Sequence, residues 1–194
     1  MHTPMSKVYI EDKLFEKTDF STETLIKGEY DCCTFVNCNF SNVNLSEIKF
    51  SNCDFTGCNL SNSRFHKTAL QEVRFKQCKL LGLHFDVCLP FLFNVYFEGC
   101  NLSLSSFYRM NLKKTTFDNC DLTQVDFTET DLLGAIFKTC NLNGAIFDNS
   151  ILEKADFRTS FNYTIDPENN RIKKARFDLQ GIPGLLAKYD ITVE

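Results

Sequence analysis

The sequence predicts an all-β fold: a right-handed quadrilateral parallel β-helix, closed by a short C-terminal helix. Three observations carry this. Every fifth residue from Phe15 to Phe85, and again from Phe97 to Phe157, is Phe, Leu or, once, Tyr. The residue two before each is nearly always small, as at Cys33, Cys38, Cys53, Cys58, Cys100, Ala135 and Ala155. Cysteines recur at intervals of twenty, in Cys38, Cys58, Cys78 and in Cys100, Cys120, Cys140.

A period of five suits neither regular element. Five helical residues turn about 500° and spread large side chains around the axis. An odd period in a straight strand sends them to alternate faces. The chain must therefore turn once per quintet. With the large residue called i, positions i−2 and i share a face and point inward. The other three positions are rich in Asn, Asp, Ser, Thr and Lys, residues of turns and solvated surface. Each quintet is one wall and one corner.

The number of walls follows from what must stack. A coil of twenty sets Phe on Phe and Cys on Cys, whereas a coil of fifteen would set Phe on Leu. Four walls are predicted. The 28 quintets then form about seven coils, roughly 34 Å long at ~4.8 Å per strand, with right-handed crossovers.

Taken in order, residues 1–14 form an N-terminal cap, with Val8 and Ile10 alternating as an extended segment. Residues 15–177 are the β-helix, including an irregular last coil over 158–177 whose turn is Asp166–Asn170. Its register breaks over 86–96, because Phe85 to Phe97 spans twelve residues where ten are expected. Pro90 suits a bulge there. Phe91 and Phe93 lie beside the break, and Pro90, Phe91 and Phe93 are candidates for partner binding, since irregular segments on rigid scaffolds carry recognition. Residues 178–194 are a C-terminal helix and strand. Asp178 is the expected cap of a helix reaching about Tyr189, with Leu179, Ile182, Leu185, Leu186 and Tyr189 on one apolar face. Ile191 to Val193 alternates as a final strand.

Sixteen of the 20 phenylalanines occupy position i, so the interior is a stacked aromatic column. Eight of the ten cysteines stand at i−2, where a small buried hydrophobe fits. Their spacing matches no C-x2-C zinc pattern, and parallel inward Cβ vectors suit disulfides poorly. No cofactor or metal is expected. The absence of an 18-residue apolar run and of a signal-peptide core predicts a cytoplasmic protein with reduced thiols.

Segments such as Cys53-Asp-Phe-Thr-Gly57, Cys120-Asp-Leu-Thr-Gln124 and Ala155-Asp-Phe-Arg-Thr159 resemble the pentapeptide repeat, written A(D/N)LXX, over about residues 13–177. The tail resembles the C-terminal helix and strand through which the quinolone-resistance (Qnr) branch of that family pairs. The resemblance implies a homodimer joined through Leu179, Ile182, Leu185, Leu186 and Tyr189. It also implies a non-enzymatic function: binding DNA gyrase or topoisomerase IV as a partial mimic of DNA.

Charge bears on that implication. The net charge is −4. Residues 64–80 are basic, and 115–157 hold eight acids, among them Asp118, Asp121, Asp126, Glu129 and Asp131. Asp121, Asp126 and Asp131 stand at i−1 on three successive walls and face water, which makes these five the candidate partner-binding acids. Duplex DNA carries one charge per ~1.7 Å, or about 40 over a ~70 Å rod, against a net of eight from two such chains. An acidic chain without interleaved exposed aromatics is a poor binder of nucleic acid. There is no H-E-x-x-H, no G-x-S-x-G and no Gly-rich phosphate loop, so neither an enzyme nor a small-molecule substrate is expected. A rigid protein-interaction scaffold with another cytoplasmic partner is the alternative.

Overall fold

The structure is a computed structural model and describes residues 8–192. Eleven short strands appear: β1 (Val8–Glu11), β2 (Leu14–Glu16), β3 (Gly28–Asp31), β4 (Thr34–Val36), β5 (Lys49–Ser51), β6 (Asp54–Thr56), β7 (Ala69–Gln71), β8 (Val73–Lys76), β9 (Val95–Glu98), β10 (Thr116–Asp118) and β11 (Ile136–Lys138). All pair in parallel. One sheet runs β2-β4-β6-β8-β9-β10-β11 and the other β1-β3-β5-β7. Paired residues are twenty apart on every step but that from β8 to β9, as in Phe35 with Phe55 and Phe117 with Phe137. Isolated parallel bridges with the same interval mark the two walls too short to form strands, such as Asn39 with Asn59 and Ser106 with Asp126. The result is a four-sided parallel β-helix, as the twenty-residue columns predict.

Position i is buried on every wall. Counting walls from the one that carries Phe15 and Phe35, the first wall holds a continuous column of phenylalanine rings from Phe15 to Phe177. Consecutive centroids lie between 4.6 and 5.5 Å apart. The third wall supplies a second column, Phe85, Phe107, Phe127 and Phe147, and the two columns meet edge to face, with Phe107 and Phe117 at 6.0 Å and 78°. Stacked and T-shaped contacts are the favoured geometries of aromatic rings. Leucines of the second and fourth walls fill the remaining space.

The corners explain the surface residues. Two residues after i the chain passes through the left-handed region, as at Asn37 (φ 54°), Asn62 (φ 56°) and Asn119 (φ 52°), which Asn and Gly tolerate best. At i−1 an Asn or Asp side chain accepts the backbone N–H two residues on: Asn39 from Ser41 at 3.1 Å, Asn101 from Ser103 at 2.9 Å, Asp126 from Thr128 at 2.9 Å. This is an Asx-turn repeated along the rod. It accounts for the Asn and Asp of the repeat without reference to any partner.

Position i−2 has a role that its small size does not disclose. Cys58 Sγ lies 3.3 Å from the carbonyl oxygen of Phe35 on the preceding coil, and the N–H of Cys38 points at the same sulfur at 3.4 Å. The thiol thus bridges a corner that does not close on itself. Cys53, Cys78, Cys100 and Cys140 reach the carbonyls of Tyr30, Phe55, Phe75 and Phe117 likewise. Elsewhere hydroxyls serve: Ser105 accepts from Leu83 N–H and donates to the Leu80 carbonyl at 2.8 Å. Buried backbone groups must be paired, and an i−2 side chain from the next coil pairs them.

Nine of the ten cysteines are buried, all ten are free, and Cys32 alone is exposed. Burial pushes the Cys53 thiol up to about 12. One thiol is therefore expected to react with a disulfide reagent in the native protein, and ten after unfolding without reductant. A count below ten on unfolding would reveal a disulfide.

The register break is a two-residue insertion in the fourth wall. Val73 pairs with Val95 and Phe75 with Phe97, an offset of 22, and the interval of twenty resumes after it. Phe85–Val87 forms a 3-10 turn, Leu89 N–H still reaches Thr68, and Asn94 N–H reaches Leu70. Between them Pro90–Phe93 bows outward, with Leu92 at φ 58°. The β1-β3-β5-β7 sheet ends at this bulge.

The C-terminal segment differs in detail from the sequence expectation. The helix α1 is only Ile182–Leu186, followed by a 3-10 turn to Tyr189. Gly181, not Asp178, is its N-cap, although Asp178 Oδ1 accepts the Gly181 N–H at 2.9 Å. Pro183 and Gly184, poor helix interior residues, shorten it. Ile191 and Thr192 form no strand, and Val193 lies outside the described residues, as do residues 1–7 of the expected N-terminal cap.

Candidate functional site

The acids sort by wall. Asp118, Asp121, Asp126 and Asp131 belong to a single coil, one on each wall in order, and all are half-buried at their bases. They form a girdle, not a stripe along the rod. Asp121, Asp126 and Asp131 each accept the backbone N–H two residues ahead, at 3.1, 2.9 and 3.2 Å, so their carboxylates are held by the corners. Several charges are met internally. Lys138 lies 2.8 Å from Asp118, Lys113 3.1 Å from Asp131, and Arg109 makes a two-pronged contact with Glu129. That contact holds the Glu129 carboxyl below its ordinary range. Asp121 and Asp126 have no ion-pair partner among the described residues. Exposed pairs of this kind contribute little to stability, but they remove net charge from the surface offered to a partner.

The bulge presents the opposite chemistry. Phe91 is 74% exposed, Leu92 60% and Leu89 43%, while Pro90 is exposed beside them. Phe93 turns inward and meets the edge of Phe85 at 6.3 Å, so it is half-buried and anchors the bulge. Of the three apolar candidates here, Phe91 and Pro90 are accessible and Phe93 is largely committed to the core. Leu89 and Leu92 were not singled out from the sequence; their exposure follows from the outward turn, which periodicity does not encode.

The C-terminal candidates divide in the same way. Leu185 packs against the core, and Ile182 and Leu186 are half-buried on the last coil. Leu179 is 90% exposed and Tyr189 50%. Gly184 rests on Tyr163, where any Cβ would collide with the Tyr163 carbonyl oxygen, and its own carbonyl accepts from Ile165 N–H at 3.1 Å. Lys188 binds both Asp166, at 2.7 Å, and Glu168, at 2.6 Å, and holds both carboxyls below their ordinary range. Tyr189 donates to Glu168 at 2.7 Å. The segment therefore covers the open end of the core, as a solenoid requires of its cap, and leaves Leu179 and Tyr189 outside.

Among the described residues no group of three or more His, Cys, Asp or Glu is placed to hold a metal ion, and no helix is long and apolar enough to cross a membrane. The clefts are shallow and open, lying beside the bulge and along the corners.

Several solved structures are similar to this chain. Full-length QnrB1, described as a plasmid-mediated fluoroquinolone resistance protein, is 17% identical, with 95% of this chain and 100% of QnrB1 covered and a TM-score of 0.42. HetL from the cyanobacterium Nostoc sp. strain PCC 7120, described as involved in heterocyst differentiation regulation, is 15% identical over 90% of this chain and 88% of HetL, with a TM-score of 0.49. No curated protein sequence matches. The pentapeptide repeat region, as a family model, matches residues 29–89 and 91–162, and by that match over most of its length the chain belongs to the pentapeptide repeat family.

Proposed function

We propose that this protein is a non-catalytic, cytoplasmic rod that binds a type II topoisomerase, DNA gyrase or topoisomerase IV, as a partial mimic of DNA, in the manner of the quinolone-resistance branch of its family. The carboxylate girdle carries this reading. Asp118, Asp121, Asp126 and Asp131 ring one coil, and three of them are locked by Asx-turns, so a basic cleft meets them without ordering cost. The mimicry is local, because Lys138 and Lys113 neutralise part of the girdle and Arg109 neutralises the neighbouring Glu129. Leu179 and Tyr189 support pairing of two rods through their C-terminal ends, with Ile182, Leu185 and Leu186 buttressing the contact from beneath.

A supercoiling assay tests the partner. Micromolar protein at low salt is expected to inhibit gyrase, with and without a quinolone. Asp121, Asp126 and Asp131 changed together to Asn should weaken that inhibition and flatten its salt dependence. The fold survives this change, because Asn39 and Asn101 already make the same turn contact. Absence of inhibition by the unaltered protein would remove the topoisomerase.

The bulge favours a second reading, a rigid scaffold for a different cytoplasmic protein that takes up Phe91. On that reading Phe91→Ser abolishes binding while the triple Asn variant does not.

A further inference from the structure

We propose that the fourth wall around the bulge is an interface for a second copy of this chain, packed side by side and antiparallel across a two-fold axis at Phe91. This contact is separate from the C-terminal pairing proposed above, and it does not depend on the topoisomerase.

The bulge is an apolar spot between two polar coils of this wall, with Phe91, Leu92 and Leu89 its exposed large side chains. What surrounds it decides the occupant. The wall position of Lys49 and Ala69 passes to Leu89, whose N–H reaches Thr68, and then to Asn111 and Asp131. The left-handed corner position runs Asn52, Glu72, Leu92, Lys114, Gly134, with Phe91 at the tip of the Pro90–Phe93 turn between the two columns. Asn94 rejoins the ladder after the turn, its N–H on the Leu70 carbonyl and its carbonyl on the Val73 N–H, with its side chain on Glu72 at 2.7 Å. Charge reverses about the bulge in both columns. Glu72 lies one coil before it and Lys114 one coil after; Lys49 lies two coils before and Asp131 two after.

A half-turn about an axis along the strand direction, through the bulge coil, exchanges the coils before and after while keeping each column on itself. Phe91 then meets Phe91, Glu72 of each copy meets Lys114 of the other, and Lys49 meets Asp131. Each pairing occurs twice, as an isologous contact demands. Glu72 and Lys114 are exposed and have no ion-pair partner among the described residues. Within the chain Glu72 meets the neutral amide of Asn94, which leaves its charge uncompensated. Lys49 and Asp131 are held by exposed pairs with Glu29 and Lys113, which a neighbour can extend into a network. An unrelated partner has no reason to match a pattern that is antisymmetric about one coil; a second copy matches it automatically. The patch is small beside the roughly 1,200 Å² of a stable interface, so association belongs in the micromolar range.

Sedimentation equilibrium of the full chain carrying Leu179→Ser and Tyr189→Ser, which remove the C-terminal pairing, tests this from low to high micromolar. A dimer is expected in that background, to which the changes below are added. Phe91→Ser with Leu92→Ser should leave a monomer, and Glu72→Lys should weaken the dimer by roughly tenfold or more. Glu72→Lys combined with Lys114→Glu restores the complementarity in reverse and should recover most of the affinity. A monomer throughout the range overturns the proposal. So does a dimer that survives the Phe91 and Leu92 changes, or a charge swap no tighter than Glu72→Lys alone. Association of the unaltered chain that vanishes in the Leu179→Ser, Tyr189→Ser background belongs to the C-terminal end and overturns this surface. Circular dichroism should match for every variant, since all of these side chains are external.

Discussion

Phe117→Ala is expected to destabilise the protein by about 3–5 kcal/mol in urea unfolding, the range for truncating a fully packed aromatic side chain. The ring is fully buried, stacked between Phe97 at 5.3 Å and Phe137 at 5.1 Å, with the edges of Phe107 and Phe127 at 6.0 and 5.9 Å. Backbone ladders hold the flanking rings on both sides, so the column cannot close over the gap. The cavity term is therefore retained as well as the lost transfer energy. Phe117→Leu should cost much less, because Leu122 and Leu132 fill the same position on the neighbouring walls. An unfolding midpoint unmoved by the alanine change would show that the column does not hold the rod together.

The second large effect is expected at Asn170. Its Oδ1 accepts the Ser150 N–H at 2.8 Å and its Nδ2 donates to the Phe147 carbonyl, closing an open corner on the coil before. Asn170→Ala leaves a buried donor and a buried acceptor unpaired together. Each such orphan costs about 1–3 kcal/mol, so a loss of roughly 2–4 kcal/mol is expected. Asn170→Ser should recover a good part of it, since Ser105 bridges Leu83 and Leu80 in the same way. Amide exchange reads the mechanism directly. The Ser150 N–H should lose protection in the alanine variant, and a Ser150 amide that stays protected would contradict the bridging role.

Asn170 is also a residue whose place the sequence does not disclose. From the sequence it ends a turn over 166–170. In the structure it stands at i−2 of Ile172, buried over Ser150. The twenty-residue interval from Ser150 was visible, but that a buried amide could replace a thiol or hydroxyl was not. The cysteines carry the same lesson. Their burial was legible from the columns, and their hydrogen bonding was not, because spacing does not say which corners fail to close. At the C-terminus the apolar residues are legible, but the helix is shorter than the sequence predicts. Asp178 looked like a cap, yet the chain stays in a turn until Pro183 can occupy the first helical positions.

The candidate acids divide along the same line. Their exposure at i−1 followed from the repeat. Their arrangement as a girdle, and their pairing with Lys138, Lys113 and Arg109, depended on neighbours twenty residues away. So did the alternating charge around the bulge, which is scattered along the chain and is gathered only by coiling.

The sequence alone determined the parallel four-walled coil, the buried columns and the site of the register break, because a period of five admits one inward direction per quintet and twenty returns like to like. Tertiary structure alone decided which backbone corners need a side chain from the next coil, which way the two inserted residues bow, and which charges meet. Those outcomes depend on contacts between coils, where distance in space has no counterpart in local pattern.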